Sequence, residues 1–361
     1  MRAFLNPAVE RNSAFRGLFT DDEYRAVEGY FGAHADVAPS PLKWLAHLAE
    51  VAGLQRVDAK DESERFGLNA FKIVGVRYAL HRLGDDATGR GVVCATAGNH
   101  GRAVARVARE KSIPATVFIP RARGLAARAE QTRARRVDAM QSDGATVIDV
   151  DGTYATAVTQ AAEHARQTGA TLVSDTSWDG YEQIPRWIMA GYTWIFEEAR
   201  TQWERAPDVV LIQGGVGGLV CAAASWFSWR FGATRPFLIA CEPENAACLL
   251  ASARAGSPTH VEGDLDTIMA GLRCADPSTT AWPAIARGID AFVTVDDEHV
   301  LAAMEMLSRA PDQERVDAGP SGACGAAALV ALGTAPELEA VRAACRLDRS
   351  TRALIVVTEG T

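Results

Sequence analysis

Between residues 92 and 174 the chain alternates short apolar runs with amphipathic ones so regularly that few folds can accept it. The runs at 92–95, 115–119, 146–150 and 171–174 predict strands, and the stretches 103–110, 126–141 and 154–167 predict helices. Such a series implies a parallel sheet, because parallel neighbours need a crossover long enough to hold a helix. Right-handed crossovers then cover both faces with helices and bring the loops after the strands to one edge, where α/β sheets bind ligands. Residues 97–102 and 175–181 fall on that edge.

The rest of the chain repeats the theme less regularly. Strands are predicted at 209–212, 237–240, 292–295 and in the apolar run that ends at Thr358, with a long striped helix over 184–199 and a helical pattern over 42–49. Residues 244–290, rich in Gly, Pro and Ser, are the least regular part of the chain. At 361 residues the chain suits two α/β domains, and 48% apolar with 23% charged residues is ordinary for a globular protein.

Composition also narrows the partners. A formal charge of −8 without a basic stripe argues against nucleic acid, and the Arg-rich run at 121–136 includes Glu130 and reads as one solvated helix face. The seven cysteines form no CxxC pair or metal spacing, so they read as small buried residues in a protein of the reducing cytoplasm that binds no metal. Arg2, Glu10, Arg11 and Arg16 interrupt the N-terminal apolar residues, leaving no export signal. The longest apolar run, 214–229, follows a strand and opens with glycines, so it reads as a helix behind a loop and not as a membrane span.

Three stretches carry chemistry. In DESERFGLNAFKIVGV, Lys72 sits at the start of an apolar helical pattern, with Asn69 as a candidate cap, Ala70 and Phe71 opening the helix, and Ile73 and Val74 flanking the amine. Such a lysine either snorkels its ammonium to water or, desolvated, is a neutral amine able to form a Schiff base. In VVCATAGNHGR, Asn99 and His100 stand where a strand gives way to a helix. In VVLIQGGVGGL, a strand runs into Gly214, Gly215, Val216, Gly217 and Gly218 and then a helix; the glycines suit either a phosphate cradled by backbone N–H groups or close strand–helix packing. A reactive lysine together with a phosphate cradle suggests pyridoxal phosphate.

The ordered motifs RFGLNAFK, ATAGNHGR, SDTSWDGYEQIPRWIMAGY, QGGVGG, DLDTIMAGL, PSGACG and VVTEG extend the case. In this order the chain resembles the pyridoxal-phosphate enzymes of the tryptophan synthase β-subunit superfamily, fold type II, and within it the diaminopropionate ammonia-lyase family. The resemblance implies an α/β fold of two three-layer parallel-sheet domains with the cofactor in the cleft between them. A large cofactor-binding domain is expected over 1–80 plus 176–361, and a smaller mobile one over 81–175. It makes Lys72 the Schiff-base lysine, Asn99 the partner of the cofactor's 3′-oxygen, 214–218 the phosphate cup and Thr358 the hydroxyl beside the pyridine nitrogen. Asp175 is implied as the base that takes the α-proton of the L isomer. The implied activity is a PLP-dependent β-elimination that turns L-2,3-diaminopropionate into pyruvate and ammonia, in a cytoplasmic homodimer.

The chain departs from the family pattern most sharply at Ala97, where the family carries the acid that serves the D isomer; Val76, Arg77 and Pro320 are smaller departures. Two alternatives stay open: a serine/threonine dehydratase-like or β-replacement enzyme working through aminoacrylate, and a non-catalytic binding protein of the same fold. Visible colour from a Schiff base separates the binder from the enzymes.

Overall fold

The computed structural model describes residues 1–12, 14–34, 38–96, 98–121 and 127–361, and of residues 86–88 and 127–132 only the backbone. Ala97 and residue 126, where the expected helix 126–141 began, lie outside the described residues. The chain divides into two compact units, Lys72–Gly191 and the remainder, Met1–Phe71 with Tyr192–Thr361.

The smaller unit carries the predicted series. Strands β4 (Val92–Ala95), β5 (Ala115–Arg121), β6 (Thr146–Asp151) and β7 (Thr171–Leu172) form an all-parallel sheet in the order β6-β5-β4-β7. Successive side chains leave a strand on opposite faces. Val93, Ala95 and Phe118 accordingly pack with Ala157 and Ala161 of the helix Tyr154–Thr168. On the other face Val117 approaches Gly101 of the helix Asn99–Glu110, where an added Cβ would lie 3.1 Å from it. Both faces being covered, β4 is buried throughout, as a central parallel strand must be.

This unit is wider than the expected 81–175 for a packing reason. The helix Lys72–Thr88 packs on Asn99–Glu110, and its Gly75 and Tyr78 meet Gly191, where an added Cβ would lie 2.9 Å from each. The lysine-bearing helix and the first half of the helix Gln183–Gln202 therefore belong with the small sheet.

The larger unit is built on a seven-stranded sheet, ordered β1-β10-β9-β8-β11-β3-β2. Its inner strands β3 (Arg56–Asp61), β8 (Val209–Gln213), β9 (Phe237–Pro243), β10 (Ala291–Val295) and β11 (Arg352–Val357) are parallel. The edge strands β1 (Ala3–Leu5) and β2 (Leu42–Trp44) run antiparallel. Leu42 thus begins a strand, and the predicted helical pattern yields only Ala46–Ala52. The small-residue helix Pro320–Thr334 packs against β8, β9, β10 and β11, its Ala323, Ala326, Ala327 and Leu329 lying in one core cluster with Leu211 and Ile355. The span 244–290 is more regular than expected, holding the helices Cys248–Ala255 and Trp282–Gly288. Among the described residues no single helix is long and apolar enough to cross a membrane, and the apolar run after the glycine loop is the helix Gly218–Phe231.

Candidate active site

In the smaller unit Lys72 is the first residue of its helix, and its Nζ lies 2.6 Å from Asp175 Oδ2. The apolar neighbours left open a snorkelled ammonium or a desolvated neutral amine; the structure pairs the amine with a carboxylate more than a hundred residues away in the chain. Asn69, the expected cap, directs Nδ2 to the Thr361 carbonyl at 3.0 Å.

The loop that carries Asp175 is held from two sides. Tyr181 Oη donates to the Leu172 carbonyl at 2.8 Å and accepts from the Ser174 N–H at 2.9 Å, while its ring stacks on Trp178. His100 Nε2 donates to the Val173 carbonyl at 2.9 Å, so β4's following helix grips β7's following loop. Burial alone would raise the Asp175 carboxyl. The Lys72 ammonium, then the His100 ring whenever it carries a second proton, with hydrogen bonds from Lys72 and Asp175's own backbone, outweigh it and hold the group well below the usual carboxylate range.

Asn99 opens the helix Asn99–Glu110 and is half-buried, after Gly98, whose N–H donates to Thr96 Oγ1 at 3.0 Å. The helix starts four residues before the expected 103, which puts Asn99 and His100 in its first turn.

The larger unit holds the glycine loop. After β8 the Gly214 N–H is still in the sheet, donating to the Cys241 carbonyl at 2.8 Å, so it is not available to a phosphate. Gly215, Val216, Gly217 and Gly218 follow, and their N–H groups make no backbone hydrogen bond among the described residues. Gly217 caps the helix Gly218–Phe231 at φ +96°, and a Cβ there would lie 2.5 Å from Ile285 Cδ1. At Gly215 a Cβ would lie 3.1 Å from Cys274 Sγ and 3.2 Å from the Gly271 carbonyl. Four unpaired N–H groups at a helix N-terminus, shaped by positions with no room for a side chain, fit a phosphate.

Thr358, buried and one residue beyond β11, receives a hydrogen bond that sequence reasoning missed. Gln213 Nε2 lies 2.9 Å from Thr358 Oγ1 and 2.8 Å from the Val356 carbonyl, with the Ser321 and Gly322 carbonyls at 3.1 and 3.2 Å. Carbonyl oxygens only accept, so the atom among them must be the amide nitrogen, and the hydroxyl must accept from it. Its own hydrogen is free to be donated to a ring nitrogen. The Phe71 N–H donates to the Thr358 carbonyl at 3.1 Å, which ties the residue before the lysine to this strand end. A polar residue closing the otherwise apolar VVLIQ strand was the one signal for Gln213, and the GNHG and DGY motifs were those for His100 and Tyr181.

Comparison with known proteins gives the chain its family. Residues 34–346 match the family described as "Pyridoxal-phosphate dependent enzyme". Diaminopropionate ammonia-lyase of Escherichia coli K12 is 31% identical over 98% of this chain and 93% of its own length. The enzyme of that name from Salmonella typhimurium is 35% identical over 90% of this chain and 85% of its own. The crystal structure of the Escherichia coli enzyme in complex with an aminoacrylate-PLP azomethine reaction intermediate superposes with a TM-score of 0.86 at 30% identity, covering 99% of this chain and 93% of that one.

Proposed function

Since the chain belongs to the pyridoxal-phosphate dependent enzymes, and within them to the diaminopropionate ammonia-lyase family of fold type II, we propose that it eliminates ammonia from L-2,3-diaminopropionate to give pyruvate, with Lys72 and Asp175 as its reacting groups. The observation that carries this is the 2.6 Å contact between Lys72 Nζ and Asp175 Oδ2.

When bound, pyridoxal phosphate supplies the sink for the electron pair left at the substrate Cα. In the smaller unit Lys72 would hold the cofactor through its aldehyde carbon and Asn99 would meet the 3′-oxygen; in the larger unit the N–H groups of Gly215, Val216, Gly217 and Gly218 would hold the phosphate and the Thr358 hydroxyl would donate to the ring nitrogen. Gly214 serves the cup by shape alone. Asp175 takes the α-proton. Its carboxylate is a weak base while Lys72 is an ammonium; once Lys72 gives up that charge, burial raises the carboxyl and strengthens the base. The leaving amine departs as ammonia only when it carries an added proton, so a proton held in the site can be returned to it.

The seven free cysteines support a reducing, cytoplasmic setting, and the homodimer implied by the resemblance belongs to the same proposal.

The test measures pyruvate and ammonia from L- and D-2,3-diaminopropionate with wild type and Asp175→Asn, together with borohydride reduction and peptide mapping. Label on Lys72, turnover of the L isomer, and a loss of about 10²–10⁴-fold in Asp175→Asn with cofactor retained are expected. The D isomer should be nearly inert because position 97 is alanine. Label elsewhere, or an Asp175→Asn enzyme of full activity, overturns the assignment.

A further inference from the structure

His100 is a buried titratable group of the smaller unit whose ring the elimination as described uses for no proton. Its tautomer is set by the backbone: Nε2 lies 2.9 Å from the Val173 carbonyl, which can only accept, so a neutral imidazole carries its hydrogen there. Nδ1 is then a lone pair. It is buried, makes no hydrogen bond among the described residues, and lies 3.9 Å from Asp175 Oδ2, the oxygen that contacts Lys72. A lone pair facing a carboxylate oxygen is an unfavourable pairing that a single proton turns into a charge-assisted hydrogen bond.

We propose that His100 acts through Asp175 as a positioning residue that also holds a proton, accepting on Nδ1 the proton that Asp175 has taken from the substrate. The balance is simple. The Cα–H bond breaks and its pair goes to the cofactor; an O–H bond forms on Asp175, then breaks as Nδ1–H forms. The imidazolium keeps Nε2–H on the Val173 carbonyl and turns Nδ1–H to the restored carboxylate. When the Cβ–N bond breaks, its pair stays on nitrogen, and the proton returns through Asp175 to the departing amine. His100 ends as it began, and the α-proton leaves on ammonia.

The titratable groups around His100 allow this. Asp175 faces it directly and Lys72 lies across that carboxylate; Cys94 of β4 and Tyr181 sense the same carboxylate, but burial raises both, so neither is charged near neutral pH. Imidazole is the side chain suited to exchanging a proton there.

The proposal rests on Asp175 being the base, and the experiment separates the two. His100→Gln keeps an N–H where Nε2 was, and so the Val173 hydrogen bond, but has no basic nitrogen; His100→Asn loses the bond as well. In the holoenzyme His100→Gln should keep its Tm and cofactor affinity, lose about 10²-fold in kcat, and lose a limb of the pH–rate profile that wild type shows. Nitrogen-15 NMR of histidine-labelled holoenzyme, with the His100 signal identified by its loss in His100→Gln, should show Nε2–H in the neutral form and protonation at Nδ1. Wild-type kcat and an unchanged pH profile in His100→Gln, beside an inactive Asp175→Asn, overturn the role of His100 alone. Full activity in Asp175→Asn instead overturns the reading of Asp175.

Discussion

Gln213 donates from Nε2 to Thr358 Oγ1 across 2.9 Å, and three backbone carbonyls around the same nitrogen leave the amide no other orientation. The polarity of the threonine hydroxyl is fixed by a residue on a neighbouring strand, so it meets a ligand as a donor. A ring nitrogen that accepts from it stays unprotonated. Gln213→Leu should therefore cost about 1–3 kcal/mol of stability by stranding buried acceptors. Thr358→Val should weaken pyridoxal phosphate binding roughly five- to tenfold while barely changing stability, the worth of one hydrogen bond. Cofactor titration and thermal melts of both variants check this; equal cofactor affinity in Thr358→Val would place the ring nitrogen elsewhere.

The glycine loop yields a comparison with a built-in control. Gly217 and Gly256 both have left-handed backbone, at φ +96° and φ +74°. An added Cβ at Gly217 meets Ile285 Cδ1 at 2.5 Å, whereas at Gly256 nothing lies within 4 Å. Alanine at either position carries the same backbone penalty of about 1–2 kcal/mol. Only Gly217→Ala should also displace the loop, so it should raise the Kd for pyridoxal phosphate at least about tenfold, and Gly256→Ala should leave it unchanged. Equal Kd values would move the phosphate away from this helix.

Glu242, next to last in β9, ties the larger unit's sheet to the helix Cys248–Ala255, accepting from the N–H groups of Leu249 and Leu250 at 2.7 and 2.8 Å. Leu249 in turn abuts the loop, 2.6 Å from where a Gly214 Cβ would be. Burial pushes the Glu242 carboxyl up to about 8 against those two hydrogen bonds. A raised carboxyl binds its proton more tightly in the folded chain than in the unfolded one. Its stabilising contribution is thus full below about 4.5 and is lost as pH rises through about 8. Wild type should lose stability relative to Glu242→Gln between about pH 5 and about pH 8.5. Parallel melting curves across that range would show that Glu242 stays ionised.

What the sequence made legible follows from the range of the forces involved. Strand and helix periodicity is local, and the small sheet came out nearly residue by residue. Lys72 and the glycine loop stood out because each interrupts an apolar pattern, whereas Thr358 was reached only through the family resemblance. By residue pattern alone Asp175 was an ordinary strand-end acid, which only the family resemblance singled out, and no local pattern encodes its pairing with Lys72. Lys60, Glu62 and Arg65 look like a solvated charge run; they are buried, with Lys60 and Arg65 both 2.6 Å from Glu198 and Ser40 Oγ 2.5 Å from Glu62. Only a partner distant in the chain makes such burial affordable, since an unpaired charge would be strongly destabilising there.

Strand β11, near the end of the chain, lies in the middle of its sheet, bonded to β3 on one side and β8 on the other. On the ribosome β3 emerges before the smaller unit and β8 after it, yet neither can join the other until Arg352–Val357 has been made. The smaller unit, contiguous from Lys72 to Gly191, has all four strands long before that. The nascent chain therefore carries one finished unit inside an unfinished one, whose β3 and β8 keep open edges that neighbouring chains can pair with. Slowing initiation, so that fewer such chains coexist, should raise the soluble yield more than any stabilisation of the smaller unit.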